Sequence, residues 1–173
     1  MGTIVSPVEE LAQFAARNSE GDPPTVVVAG CGRGRTVDGL LEHGVDAYGF
    51  DISPDALADA ETSPDRLEQC DLEDPELVDR LRTSFDVERI DVFYTEQVLS
   101  LLAPDVADRV TAQLRADDAV GRCVHRIAPM PPAAAQNGEF DATDRSVSEW
   151  KAQCDPDGED VWLSVGEQFQ KSD

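Results

Sequence analysis

Apolar and polar positions along the chain form blocks that predict short strands separated by amphipathic helices. Between the predicted strands lie helix-length segments whose apolar residues recur every three or four positions, such as Val106, Val110 and Leu114. Regular alternation of strands and helices at these lengths predicts a parallel sheet with right-handed crossovers. The predicted strands are Thr25–Ala29, Ala47–Phe50, Leu67–Cys70, Ile90–Tyr94 and Ala119–Ile127.

Capping residues and prolines mark where the helices begin. Ser6 and Glu9 form a capping box with Pro7 at the first helical position. Ser53-Pro54 and Asp74-Pro75 have the same pattern and predict two further helix starts. The remaining helices are expected over residues 33–42, with Gly44 as the C-terminal cap, and after Pro104.

After Ile127 the pattern changes. Residues 129–138 have the composition of a loop, a short helix is expected after Ser146, and residues 161–165 predict a final strand. We therefore expect one α/β domain over residues 1–173, Rossmann-like and doubly wound, with a mostly parallel sheet flanked by helices and a shortened C-terminal region. Its expected parts are a leading helix and loop (1–24), a βαβ core (25–127) and a C-terminal segment (128–173).

The first strand runs into a loop in which glycine occupies every second position. Gly30, Gly32 and Gly34 give G-x-G-x-G, whereas the dinucleotide fingerprint needs a third glycine at the position of Arg35. The second strand ends next to an acid, Asp51. In doubly wound sheets ligands bind at the carboxyl ends of the strands, so this loop and acid predict a ligand site.

The glycine spacing, with Cys31 inside it, resembles motif I of the class I S-adenosylmethionine-dependent methyltransferases. The resemblance covers about residues 25–102 and implies S-adenosylmethionine as cofactor and S-adenosylhomocysteine as product. It implies that Asp51 binds the ribose hydroxyls and that Asp71 faces the adenine amino group; helix-entry roles are the alternative for both acids. The implied cofactor-binding residues are Gly30, Cys31, Gly32, Gly34, Arg35, Asp51, Ile52, Asp71, Leu72 and Thr95.

One position departs from this motif. Val28 stands where the family has an acid that helps to hold the methionine end of the cofactor. Arg33 or Arg35 could instead meet the methionine carboxylate, because charge-assisted pairs with arginine are strong. The departure favours a first alternative, a catalytically inactive, methyltransferase-like binding or regulatory subunit. A second alternative is an NAD-binding oxidoreductase, which Arg35 at the third-glycine position disfavours.

Candidate catalytic groups lie near the carboxyl ends of the central strands. They are Tyr94, Glu96 and His125. His125 could act as a general base, although a single histidine near a strand end is more often structural. Tyr94 and Glu96 could equally shape the cofactor pocket. The acceptor is expected to be a small molecule or a protein, and the sequence does not identify it further.

The charge balance is strongly acidic, with a net charge of -22, 36 acids and 14 basic residues. Lys151 and Lys171 are the two lysines, and the acids are spread along the whole chain. This composition is typical of proteins from salt-accumulating halophilic archaea, where acids hydrate the surface and molar salt screens their repulsion. Without a basic cluster, direct nucleic-acid binding is disfavoured.

The four cysteines predict free thiols. Cys31, Cys70, Cys123 and Cys154 form no C-x-x-C pair and no zinc-ligand spacing, so no metal site is expected. Free thiols favour a reducing cytoplasm. No apolar run reaches membrane-spanning length. Homodimerisation and association with a partner subunit both stay open.

Overall fold

The computed structural model describes residues 6–127, 147–156, 158, 161–164 and 170–171. Its strands form one sheet in the order β3-β2-β1-β4-β5-β6-β7. Neighbouring strands are parallel from β3 to β6, and β7 is antiparallel to β6. The strands are β1 (Thr25–Ala29), β2 (Asp46–Asp51), β3 (Leu67–Gln69), β4 (Ile90–Glu96), β5 (Val120–Ile127), β6 (Val161–Ser164) and β7 (Gln170–Lys171).

Helices cover both faces of this sheet, so the predicted doubly wound, mostly parallel α/β fold is confirmed. The first two helices pack on one face, and the fourth, fifth and sixth on the other. Within the described residues, every helix is too short or too polar to span a bilayer. The helices are α1 (Pro7–Arg17), α2 (Arg35–Glu42), α3 (Pro54–Ala58), α4 (Leu77–Phe85), α5 (Pro104–Ala116) and α6 (Val147–Cys154), with 3-10 turns at Pro64–Arg66 and Leu99–Leu101.

The central strands are buried on both faces, which explains why they appear as continuous apolar runs in the sequence. Val26 and Val28 point towards α1 and α2, whereas Val27 points to the opposite face. On that opposite face Phe50 and Phe93 meet edge to face with ring centroids 6.0 Å apart. The sheet therefore separates two apolar cores and presents its loops at the strand ends.

Most predicted caps are confirmed. Ser6 Oγ accepts a hydrogen bond from Glu9 N, Ser53 Oγ accepts one from Ala56 N, and Gly44 adopts a positive φ after α2.

Two predicted helix starts were wrong. Helix α2 begins at Arg35, because Gly34 at the N-cap has a φ of 80° and cannot continue a helix. Helix α4 begins at Leu77: the Asp74 carboxylate accepts a hydrogen bond from Glu76 N at 2.9 Å and forms a turn before the helix.

The C-terminal part adds a helix and two strands. Helix α6 packs against α5 through Trp150, which is 3% exposed, and Arg115 donates a hydrogen bond to Gln153 O at 3.0 Å. Trp150 is therefore part of the core. Strand β7 was not predicted, because two polar residues carry no strand pattern. The loop predicted at 129–138 lies outside the described residues.

The core also contains one polar pair between β4 and β5. Thr95 and His125 are opposite each other in the ladder, and Thr95 Oγ1 lies 2.7 Å from His125 Nδ1. His125 is 1% exposed, and Thr95 is fully buried. Burial, and secondarily the charge of Arg115, lowers the pKa of His125 from 6.5 to about 4. The imidazole is therefore neutral in the folded protein near pH 7.

The docking of α6 predicts a large effect of truncating its anchor. Trp150→Ala should lower the free energy of unfolding by about 3–5 kcal/mol, because it removes a buried indole from the core. Ala152→Ser, at an exposed position of the same helix, should change it by less than about 0.5 kcal/mol. Urea unfolding in molar potassium chloride measures both. Equal effects of the two substitutions would show that α6 does not contribute to the core.

The buried imidazole predicts a pH dependence of stability. Between pH 6.5 and about 4 the unfolded chain binds a proton at His125 that the folded protein excludes, so the free energy of unfolding falls as the pH is lowered. This residue should contribute about 3 kcal/mol of that fall. Above pH 6.5 the imidazole of His125 is neutral in both the folded and the unfolded chain, so it causes no loss of stability there. His125→Asn, which retains a polar group near Thr95 but does not titrate, should show a shallower pH dependence in urea unfolding. Identical slopes would contradict the prediction.

Candidate functional site

The glycine loop between β1 and α2 is held in place by the end of β2. Gly30 N and Cys31 N donate hydrogen bonds to Phe50 O at 3.0 and 3.1 Å. Gly32 N donates to Asp51 Oδ2 at 2.9 Å, and the other oxygen, Oδ1, accepts from Ser53 N at 2.9 Å. One acid thus fixes both the loop and the entry to α3.

All three glycines of the loop have a positive φ, between 52° and 80°. Two of them are also required by packing: a Cβ on Gly30 would overlap Val98, and one on Gly34 would overlap the Thr62 hydroxyl. A Cβ on Gly32 would meet nothing within 4 Å. Gly32 therefore faces open space at the point where the loop passes the carboxyl ends of the strands.

An apolar cleft of about 440 Å³ opens on one side of the loop, beside Gly30, Asp51 and Ile52. Ile52 is 63% exposed, although it is a large apolar residue. Five of the predicted cofactor residues line this cleft together: Gly30, Asp51, Ile52, Asp71 and Leu72. Its other lining residues are Phe50, Cys70, Glu73, Glu96, Gln97, Val98, Leu101 and Leu102.

Asp71 lies at the rim of the apolar cleft and is exposed. Its Oδ1 accepts a hydrogen bond from Glu73 N at 2.9 Å, which forms a local turn. The same side chain therefore forms a local turn ahead of α4 and also lies on the cleft.

A charged cavity of about 420 Å³ lies on the other side of the loop and is lined by Cys31, Arg33, Arg35, Thr36 and Glu96. Both arginines are exposed. Arg33 Nη2 lies 3.7 Å from Asp59 Oδ2, an ion pair that contributes little in water. The arginines considered for the methionine carboxylate thus line one cavity together.

Glu96, at the end of β4, is the one described residue that lines both the apolar cleft and the charged cavity. Its Oε1 accepts a hydrogen bond from Thr36 Oγ1 at 2.7 Å and lies 3.8 Å from Arg126 Nη1. Burial raises the pKa of this carboxyl group, while the Thr36 hydrogen bond and Arg126 oppose the rise. The sequence placed Glu96 near the strand ends but gave no signal of this shared position.

Three other predicted residues are buried. The Thr95–His125 pair lines neither cavity, so it lacks the access that a cofactor contact or proton exchange with a substrate requires. Tyr94 is 4% exposed and pairs with Val28 in the ladder. Burial, followed by the charge of Glu96, raises the pKa of Tyr94.

Cys31 is a protonated thiol rather than a nucleophile. Burial raises its pKa to about 12, and the charges of Asp51 and Glu96 act in the same direction. Its role in the loop is to fill space: a Cβ on Gly49 of β2 would lie 2.7 Å from Cys31 Cβ. The loop and β2 are therefore in close contact at this point.

A further cavity of about 700 Å³ lies beside the start of β3 and the end of α4. Arg66 lies over the Tyr48 ring there, 4.9 Å from its centroid, and Tyr48 stacks on Phe85. These contacts explain the conformations of the three side chains. The cavity lies away from the glycine loop.

Comparisons with solved structures give distant matches. A sugar N-methyltransferase from Streptoalloteichus is 23% identical over 62% of this chain and 42% of its own, with a TM-score of 0.47. An O-methyltransferase family protein from Burkholderia thailandensis is 18% identical over 61% of this chain and 34% of its own, with a TM-score of 0.38. This chain therefore spans less than half the length of either protein.

No curated protein matches this sequence. In contrast, residues 27–117 match a family model described as a methyltransferase domain. The matched segment runs from β1 through α5 and contains the glycine loop, Asp51, Asp71 and Glu96. It makes up more than half of the chain, and the protein therefore belongs to this family of methyltransferase domains.

Proposed function

We propose that this protein binds S-adenosylmethionine across the apolar cleft and the charged cavity and transfers its methyl group to a small-molecule or protein acceptor. S-adenosylmethionine is the methyl donor that the family implies. The observation that carries the proposal is the meeting of an apolar and a charged cavity at the glycine loop. This cofactor has an apolar aromatic base at one end and a zwitterionic amino acid at the other.

The apolar cleft fits the adenosine end. Ile52 and Leu101 are exposed apolar side chains that a planar base would cover. Each Asp51 oxygen accepts one backbone N–H, and a carboxylate has about four acceptor sites. Asp51 therefore retains capacity for the two ribose hydroxyls while it holds the loop.

The charged cavity fits the amino-acid end. Arg33 and Arg35 supply guanidinium groups that can bind the methionine carboxylate. Val28 is fully buried and carries no charge, so β1 contributes no acid to this cavity. The open space in front of Gly32 allows a ligand to approach the backbone between the two cavities.

When bound, the cofactor supplies a methyl group that is already electrophilic. The protein then has to hold donor and acceptor in line, which is a task of positioning. Asp51 and the glycine loop would fix the nucleoside, and the arginines the amino-acid end. Glu96 stays a candidate for shaping the acceptor side or moving a proton, whereas Tyr94 is buried and lines neither cavity.

The two alternatives differ in what they require of this site. An NAD pyrophosphate would have to lie near the carboxylates of Asp51 and Glu96, which disfavours it. An inactive binding subunit is favoured by Val28 and by the lack of a clear catalytic base among the described residues. It would bind the cofactor weakly, or bind it without transferring a methyl group.

The acidic composition supports a salt-rich cytoplasm as the setting. A net charge of -22 destabilises a compact chain unless salt screens the repulsion. The same charge disfavours a nucleic-acid acceptor bound by this chain alone. A second copy or a larger partner are both compatible with the proposal.

Calorimetric titration in molar potassium chloride tests the proposed cofactor. S-adenosylmethionine and S-adenosylhomocysteine should bind, and NAD should not. Ile52→Ser should weaken both sulfur ligands about tenfold, because it removes an apolar contact with the base. Because Ile52 is exposed, the Ile52→Ser variant should keep the unfolding midpoint of the unchanged protein. Binding of NAD alone, or of none of the three ligands, would contradict the proposed function.

The charged cavity predicts a loss that depends on the amino-acid end of the ligand. Arg33→Gln combined with Arg35→Gln should weaken S-adenosylmethionine about tenfold to hundredfold. Binding of 5′-methylthioadenosine, which lacks that end, should change less than about twofold. Arg17→Gln combined with Arg80→Gln, at exposed positions of α1 and α4, controls for the loss of two positive charges. An equal loss for both ligands would place the arginines outside the amino-acid site.

A further inference from the structure

We propose that the Glu96 carboxylate binds the positively charged sulfur of the cofactor and makes the site prefer S-adenosylmethionine over S-adenosylhomocysteine. This inference rests on the proposed function and assigns to one residue the discrimination between donor and product. The two ligands share the adenosine and the amino acid. They differ in the methyl group and in the charge of the sulfur, which is a cation in the donor and neutral in the product.

The position of Glu96 carries the inference. A ligand that occupies both cavities passes Glu96, because it is the described residue that the two linings share. In the cofactor the sulfur joins the adenosine to the amino-acid chain. With the base in the apolar cleft and the amino acid in the charged cavity, the sulfur lies at the junction, beside this carboxylate.

The ladder explains how an acid from β4 reaches the glycine loop. Ala29, the last residue of β1, pairs with Thr95, so Glu96 lies one residue beyond the end of β1. Gly30 follows β1 directly and begins the glycine loop. A Cβ placed on Gly30 would lie 3.3 Å from Glu96 O. The end of β4 thus approaches the start of the loop closely.

Contacts on two sides hold the carboxylate but leave part of it available. Thr36 Oγ1 donates to Oε1, and Arg126 Nη1, at 3.8 Å, is beyond hydrogen-bond distance. Among the described residues, none donates a hydrogen bond to Oε2. A sulfonium has no N–H or O–H to donate and needs only a nearby negative charge.

Partial burial of Glu96 strengthens the attraction between its carboxylate and a positively charged sulfur. Only 20% of the Glu96 side chain is exposed, so charges near it are screened less than those on the surface. Glu96 is the one acid among the residues lining the charged cavity, which otherwise holds two arginines. Neutralising Glu96 should therefore change the electrostatic potential at the junction of the two cavities more than neutralising an acid at the rim of the apolar cleft.

The experiment compares Kd values of the two sulfur ligands by calorimetry in molar potassium chloride. The unchanged protein should bind S-adenosylmethionine about tenfold more tightly than S-adenosylhomocysteine, and in Glu96→Gln this ratio should fall to about one. Glu73→Gln is the matched control, because Glu73 lines the apolar cleft but not the charged cavity. It should leave the ratio unchanged. Ile52→Ser should weaken both ligands and also leave the ratio unchanged.

The outcomes separate this inference from the proposed function. Failure of both ligands to bind the unchanged protein would overturn the proposed function. Binding of both with an unaltered ratio in Glu96→Gln would overturn only the role of Glu96. An equal fall of the ratio in Glu73→Gln would attribute the preference to general negative charge and would also overturn it.

A second measurement applies if Glu96→Gln does not fold. A bound cation favours the ionised carboxylate, so S-adenosylmethionine should release more protons than S-adenosylhomocysteine at pH 5 to 6. Thr36, Arg126, Arg33, Arg35, Tyr94 and Cys31 surround Glu96, and the carboxylates of Asp51, Asp71 and Glu73 line the apolar cleft beside it. Both ligands present the same adenosine to those three carboxylates, so a difference in proton release between the ligands reports Glu96. Binding enthalpies in two buffers of different ionisation enthalpy give the proton number. Equal release by the two ligands would overturn the proposal.

Discussion

The end of β2 determines the arrangement of the whole candidate site. Phe50 O and the Asp51 carboxylate accept the first three backbone N–H groups of the glycine loop, from Gly30 to Gly32. Both cavities border this loop, and the start of α3 depends on the same acid. A substitution of Asp51 would therefore change the shape of the site as well as its chemistry, which makes Ile52 the clearer probe of ligand binding.

Salt decides which charges of this protein can act on a ligand. At molar ionic strength the Debye length is about 3 Å, so the many surface acids exert little force at the site. Charges in contact with the ligand and shielded from solvent keep their effect. An acidic composition and the proposed charge-selective site are therefore compatible in molar salt: the composition would maintain hydration, and a few groups near the glycine loop would provide recognition.

The sequence predicted six of the seven described strands, most helix caps and five of the residues that line the apolar cleft, because each depends on local pattern or on the order of strands in a doubly wound sheet. It did not predict the start of α4, since a single aspartate can form a turn or a cap equally well. It also did not show that Glu96 borders two cavities while His125 points into a core. Those positions depend on which face of its strand a side chain occupies and on the neighbour opposite it.

The burial of all four cysteines has a practical consequence. Alkylating reagents reach such thiols when the surrounding structure opens, so labelling rates measure local opening of the folded protein. The four thiols lie in different places: in the glycine loop, after β3, within β5 and at the end of α6. Mass spectrometry of the alkylated peptides would thus report four separate opening equilibria from one sample, without any engineered label.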